Sequence, residues 1–225
     1  MQDKLKIDIV SDVMCPWCVI GYKRLESAIQ SLGLEDSVEI EWQPFELNPD
    51  MPAHGENLRA HIERKYDTTP KASAEVRRNL TALAAEEGLV FNFFDDMRMV
   101  NTLELHVLLE YAAEQGMQHD LMMQFYADYF TLQKDMSDRA VMADALAAVG
   151  LDATEGLAKL DDPEALQQVR AHEAQWQQMG ISSVPTFVFN RRSALNGAQP
   201  KEVFEQVLSE LSGDQGKRSG ITACE

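Results

Sequence analysis

The strand-like segments of this chain lie at its two ends, with a long helical block between them. Lys4-Leu5-Lys6-Ile7-Asp8-Ile9 alternates, placing Leu5, Ile7 and Ile9 on one face, and period-two alternation marks a strand. From Cys15-Pro16 the spacing turns helical: Ile20, Leu25, Ala28, Ile29 and Leu32 form a stripe that stops at Gly33. Proline in the first turn and glycine just past the last are the usual helix punctuation. Val38-Glu39-Ile40-Glu41-Trp42 then alternates again. Strand, helix, strand in so short a stretch implies a parallel pair joined by a right-handed crossover.

From about residue 55 to about residue 178 the composition shifts to Ala, Glu, Leu, Gln and Met. The spacing predicts helices over Leu58–Lys65, Ser73–Glu87, Asn101–Gln115, His119–Thr131, Asp138–Val149 and Pro163–Met179. Ser137 and Asp162 stand where N-caps belong. Gly88, Gly116, Gly150 and Gly180 stand where helices should end. The strand signal returns at Pro185-Thr186-Phe187-Val188-Phe189, and the polar turn Asn190-Arg191-Arg192 leads to Ala194-Leu195. Pro200 opens a last helix with Val203, Phe204, Val207, Leu208 and Leu211 on its apolar face. The tail, 213–225, lacks periodicity and is expected to be disordered. The expected fold class is α/β. Residues 1–54 and 180–212 make one layer, and 55–179 are a helical insertion that caps it.

Charge narrows the partners. The 225 residues include 20 Lys and Arg against 37 Asp and Glu, for a net charge of −17. Such a surface repels nucleic-acid backbones and anionic membranes. No apolar run approaches the roughly 20 residues of a membrane span. The start, Met1-Gln2-Asp3-Lys4, leads into no apolar signal region, so the expected location is the cytoplasm.

Three cysteines, Cys15, Cys18 and Cys224, are too few for a disulfide scaffold. The spacing of the first two carries the chemistry. A cysteine at a helix N-terminus faces unpaired N–H groups and the positive end of the helix dipole. Both favour the thiolate, the nucleophilic form. Cys15 is thus the expected attacking group, and Cys18, almost one turn further in, the resolving one. Pro16 fits the first turn, and Trp17 adds apolar surface for a substrate. A zinc site needs two more ligands, and His54, His61, His106, His119 and His172 show no paired spacing, so no metal is expected. An inert buried pair is the plain alternative. Ser182-Ser183-Val184-Pro185-Thr186 puts a proline directly before a strand. A cis bond there would open the Val184 backbone to an extended substrate, whereas a trans proline would merely begin an edge strand. The spacing leaves both open.

These motifs together resemble the thioredoxin superfamily in its DsbA-like branch, and within it the FrnE-like cytoplasmic oxidoreductases. The resemblance rests on Ser11-Asp12-Val13-Met14-Cys15-Pro16-Trp17-Cys18, Trp42-Gln43-Pro44-Phe45-Glu46-Leu47-Asn48-Pro49, Asn101-Thr102 with His106, Gly180 to Phe187, and Asn196-Gly197-Ala198-Gln199-Pro200. It implies a thioredoxin fold interrupted by a helical insertion, with Val184-Pro185 a cis-proline loop against Cys15. It implies thiol–disulfide exchange on protein or small-thiol disulfides, as a reductase or isomerase, with glutathione or another thiol as co-substrate and no bound cofactor. Some relatives carry a second cysteine pair near the C-terminus. Cys224 stands alone here, and a lone thiol on the tail is the favoured reading over attack on the active-site disulfide. The Ser182-Ser183 pair also departs from a glycine-containing stretch.

Two other functions compete. One is a glutathione-dependent isomerase or transferase of the hydroxychromene carboxylate isomerase or kappa-class type, whose members typically carry serine where Cys15 stands. The other is a holdase that binds clients on the helical cap. Trp42, Phe45 and Leu47 are expected in the core rather than in a substrate groove. His106 reads as a satisfied core histidine, and Met117, Met122 and Met123 as packing between helices. Asp12 or Glu46 is the candidate acceptor for the Cys18 proton. Gly197 belongs to no phosphate-binding pattern.

Overall fold

The computed structural model describes residues 4–52 and 54–218. Strands β1 (Leu5–Ser11) and β2 (Val38–Pro44) flank helix α1 (Pro16–Leu32). They pair in parallel, with Ile7 opposite Ile40 and Ile9 opposite Trp42. Near the other end of the chain, β5 (Thr186–Phe189) and β6 (Ser193–Asn196) form a hairpin. β5 lies antiparallel to β1, giving a four-stranded sheet of order β2-β1-β5-β6. Between β2 and β5 come the two-residue strands β3 (Glu56–Asn57) and β4 (Arg98–Met99). The same stretch holds α2 (Leu58–Lys65), α3 (Pro70–Glu86), α4 (Leu103–Glu114) and α5 (Gln118–Tyr126). A π-helical turn follows at Ala127–Thr131, then α6 (Arg139–Ala148), α7 (Ala153–Lys159) and α8 (Pro163–Gln178). Helix α9 (Lys201–Arg218) closes the chain.

The alternation in β1 sorts side chains onto two buried faces. Leu5, Ile7 and Ile9 join the main core with Leu25 of α1 and Phe204 and Leu208 of α9. Phe187 of β5 meets Phe204 edge-on at 4.8 Å. Val10 faces the other way, into a cluster with Phe45, Trp176 of α8 and Val188. The Trp176 indole donates to Gln43 Oε1 at 3.2 Å, and Gln43 donates to the buried Asp8 at 2.8 Å.

The helical segment grips the free edge of β2. Gln118, at the start of α5, accepts from the Trp42 amide and donates to its carbonyl, both at 2.9 Å, so a side chain replaces a neighbouring strand. The Trp42 indole donates to His119 Nδ1 at 3.2 Å. An indole N–H can only donate, so the His119 proton sits on Nε2, which donates to Tyr22 OH at 3.2 Å. Tyr22 in turn donates to Glu26 at 2.8 Å. This directed chain ties β2, α5 and α1 together.

Several expectations from spacing shift at the edges. Asp138, not Ser137, caps α6 by accepting from the Ala140 amide, whereas Asp162 caps α8 as expected. The helix expected over His119–Thr131 changes at Ala127 into a π-turn, and α7 was not anticipated. The last helix runs through Arg218 rather than ending near 212, so 213–218, expected to be part of a disordered tail, are helical. The rest of that tail, with Cys224, lies outside the described residues.

Candidate functional site

Cys15 occupies the N-cap position of α1 in extended conformation (φ −92°, ψ 109°), and Pro16 takes the first helical position. The Cys15 amide donates to the Asp12 carbonyl at 3.0 Å, closing a turn at the end of β1. The Cys18 amide donates to the Cys15 carbonyl at 3.1 Å, so the first turn of α1 brings the two thiols together. Both cysteines are free thiols with little solvent access. Trp17, between them, is 40% exposed and forms an apolar rim.

Opposite this turn lies the loop before β5. The Val184–Pro185 peptide is cis, and the Val184 carbonyl lies 3.9 Å from Cys15 Sγ, within reach of a thiol donor. The 196–199 segment holds that loop. The Gly197 amide donates to the Pro185 carbonyl at 2.8 Å, and Thr186 Oγ1 donates to Asn196 Oδ1 at 2.9 Å. Gly197 is at φ 80°, a left-handed conformation that a glycine enters without steric cost. Gly21 of α1 provides the matching close approach. A Cβ there would stand 3.0 Å from Phe187 Cζ and 3.2 Å from Ala198 Cα.

Behind the thiols the interior is buried and acidic. Asp12 is fully buried and accepts from the Met14 amide at 3.1 Å and the Leu47 amide at 2.7 Å. Burial outweighs these bonds and pushes its carboxyl up to about 6. Glu46 is also buried, and one of its oxygens has no hydrogen-bond partner among the described residues. Burial, then the neighbouring Glu173 and Asp12, push it up to about 7. Glu173 of α8 accepts from the Glu46 amide at 2.7 Å, and burial raises its carboxyl as well. The Cys18 thiol is pushed up by burial first and then by its hydrogen bond to Cys15, which favours the protonated form.

The structure therefore brings Cys15, Pro16, Trp17, Cys18, Val184 and Pro185 to one place, with Asp12 and Glu46 behind them. Trp42 and Phe45 are core residues, and Leu47 packs partly buried against both clusters. Burial of His106 lowers its imidazole to about 4, so it is neutral. Met122 is buried, and Met117 and Met123 pack against the core, so none of the three forms an open binding surface. Glu173 was missed. It lies on the buried stripe Val169–Glu173–Trp176 of α8, where a carboxylate in an apolar row was the available signal. Thr102, which hydrogen-bonds Asp12, was noted only as part of a motif. Among the described residues no group of three or more His, Cys, Asp or Glu side chains could hold a metal ion.

A sheet of order β2-β1-β5-β6 with a C-x-x-C pair at the first helix and a cis-proline before the third strand defines a thioredoxin fold, here with helices inserted between β2 and β5. More narrowly, residues 6–209 match the DSBA-like thioredoxin domain, and the chain belongs to that family. It is similar to the probable DsbA oxidoreductase SCO1869 of Streptomyces coelicolor, with 33% identity and a TM-score of 0.88 over 98% of this chain and 93% of that one. A 2-hydroxychromene-2-carboxylate isomerase shares the fold at 13% identity and a TM-score of 0.67, over 97% of this chain and 100% of that one. So does the cytosolic disulfide reductase DsbM of Pseudomonas aeruginosa, at 18% identity and a TM-score of 0.63, over 92% and 99%. Among the described residues no helix is long and apolar enough to cross a membrane.

Proposed function

We propose that this protein is a thiol–disulfide oxidoreductase working by dithiol–disulfide exchange through Cys15 and Cys18. The observation that carries the reading is the contrast between the two thiols. Cys15 caps a helix facing the Val184 carbonyl at 3.9 Å, and Cys18 is held protonated behind it by burial and by its hydrogen bond to Cys15.

In the reductive direction the Cys15 thiolate attacks one sulfur of a substrate disulfide. That S–S bond breaks, and the other substrate sulfur leaves as a thiolate. Cys18 then gives its proton to Asp12 and attacks Cys15 Sγ in the mixed disulfide. The second substrate sulfur leaves, two electrons have passed to the substrate, and the enzyme holds a Cys15–Cys18 disulfide. Two equivalents of a thiol such as glutathione reduce it again. Asp12 suits the acceptor role because burial has raised its carboxyl to about 6, nearer to a thiol than an ordinary carboxylate. Pro16, Trp17, Val184 and Pro185 form the substrate surface, with the Val184 backbone pairing to an extended peptide.

The reading places the protein in a reducing compartment, as a reductase or isomerase. It is supported by the fold shared with DsbM, which is cytosolic and has also been solved with GSH (glutathione). The FrnE-like assignment rests on the motifs around Cys15, Trp42 and Asn196. The isomerase reading has the shared fold in its favour, but the Cys15–Cys18 pair favours exchange. A glutathione redox titration with alkylation and peptide mass analysis tests this. A reversible Cys15–Cys18 disulfide is expected. Glutathione uptake at Cys15 without closure onto Cys18 would support the isomerase or transferase instead.

A further inference from the structure

An open pocket of about 510 Å³ lies between α2, α3 and the segment 91–95. Arg59, Arg77 and Arg78 line it, with Phe93, Phe94 and a single carboxylate, Asp95. This is a concentration of positive charge on a chain whose net charge is −17. Arg59 pairs with Asp95 at 3.1 Å, but that carboxylate is 86% exposed. Arg77 donates to Ser73 Oγ at 2.7 Å, and Arg78 has no ion-pair partner among the described residues. Each guanidinium carries five N–H donors, so most of those facing the pocket are unspent.

A second cavity of about 90 Å³ shares Leu58, Arg77 and Phe93 with the first. It reaches Met14 and Pro16, the two residues on either side of Cys15, and its wall is otherwise mostly apolar, including Leu80, Met99 and Tyr129. Cysteine, apolar slot and arginine pocket thus follow one another across the surface.

We propose that the two cavities form a docking track for an acidic segment of a protein substrate. The substrate cysteine meets Cys15, a neighbouring apolar side chain fills the slot, and a carboxylate beyond it pairs with Arg77 and Arg78. The proposal rests on the exchange reading of Cys15 and adds the order of chemistry along the substrate. Glutathione offers carboxylates too, but it has no apolar side chain for the slot, so the fit is to a peptide. Charge complementarity also brings such a segment to an arginine-lined wall of an acidic protein.

The test uses disulfide-bonded peptides that are identical except for two Asp, two Asn or two Lys placed beyond a leucine next to the cysteine. With the reduced protein at low salt, the second-order rate constant for its oxidation should favour the Asp peptide over the Lys peptide by roughly tenfold, the scale of two exposed ion pairs. At high salt the preference should collapse. Arg77→Gln with Arg78→Gln should bring the ratio close to one, and Arg192→Gln, on the β5–β6 turn, should leave it in place. Arg78→Glu on an exposed position should shift the preference toward Lys, which covers the case in which the double variant does not fold. Turnover of a small uncharged disulfide reads the redox centre alone, and its absence would overturn the exchange reading. The same peptides with serine for cysteine, followed by fluorescence anisotropy, read docking alone and should bind in the order Asp, Asn, Lys. Equal binding and turnover of all three peptides, or loss of the charge preference in saturating glutathione, would overturn the docking track.

Discussion

Replacing Asp12 by asparagine removes a charge that the fold holds at a cost. Asp12 is 1% exposed and sits among Glu46, Glu173 and the Cys18 thiol. Burial moves its carboxyl from an ordinary 3.8 up to about 6. At about 1.4 kcal/mol per pH unit, the ionised form is disfavoured in the folded protein by about 3 kcal/mol. Because the folded value lies above the unfolded one, the stabilising contribution is full below about pH 4 and is lost as pH rises through about 6. Asparagine has no such dependence. It also presents an N–H group to one of the two amides that Asp12 accepts, those of Met14 and Leu47, which costs about 1–3 kcal/mol at every pH. That offset cancels when the comparison is made across pH. Urea unfolding of both proteins from pH 4 to pH 7.5 should therefore show the native protein gaining about 3 kcal/mol on Asp12→Asn as pH falls through this window. Glu46 titrates in both proteins, and the part of its upward push that comes from Asp12 adds to the same trend. Curves that stay parallel across the window would refute the reasoning.

Two further outcomes follow from the packing. His119 is neutral in the Trp42–His119–Tyr22 chain, and burial lowers its imidazole, so its contribution is present above about pH 6.5 and lost as pH falls below it. The stability advantage of the native protein over His119→Phe should be about 1–2 kcal/mol at pH 7.5 and shrink toward pH 5, and a pH-independent gap would contradict the assigned proton. Gly21→Val should cost about 1–3 kcal/mol by urea titration, since its Cβ would press on Phe187 and the Ala198 backbone. Unchanged stability would show that α1 does not bear on β5 and the 196–199 segment.

What could be read from the chain alone was whatever is periodic or contiguous. The alternation in β1 and β2 and the stripe of α1 ending at Gly33 all reappear in place. Gly116, Gly150 and Gly180 each end a helix with positive φ. Helix α7 was invisible because it has seven residues and a glycine in its middle. That glycine belongs there, since a Cβ on Gly156 would stand 2.7 Å from Leu146 and 3.2 Å from Tyr111. β3 and β4 are two residues each, too short for any period. The same division holds at the site. Cys15 and Cys18 are a spacing, whereas Glu173 acts on Glu46 across 127 positions and Gln118 on Trp42 across 76. Such pairs exist only once the sheet and helices have brought the ends together. The arginine pocket is of this kind as well, since Arg59 and Arg78 share no pattern along the chain.

The central claim is that Cys15 attacks and Cys18 resolves, and trapping the intermediate tests it most directly. Cys18→Ser should accumulate a mixed disulfide between Cys15 and a disulfide substrate, seen by mass after acid quenching, while the native protein passes on to the Cys15–Cys18 disulfide. An equal or greater yield of adduct at Cys18 in Cys15→Ser, or no adduct in either variant, would contradict the account.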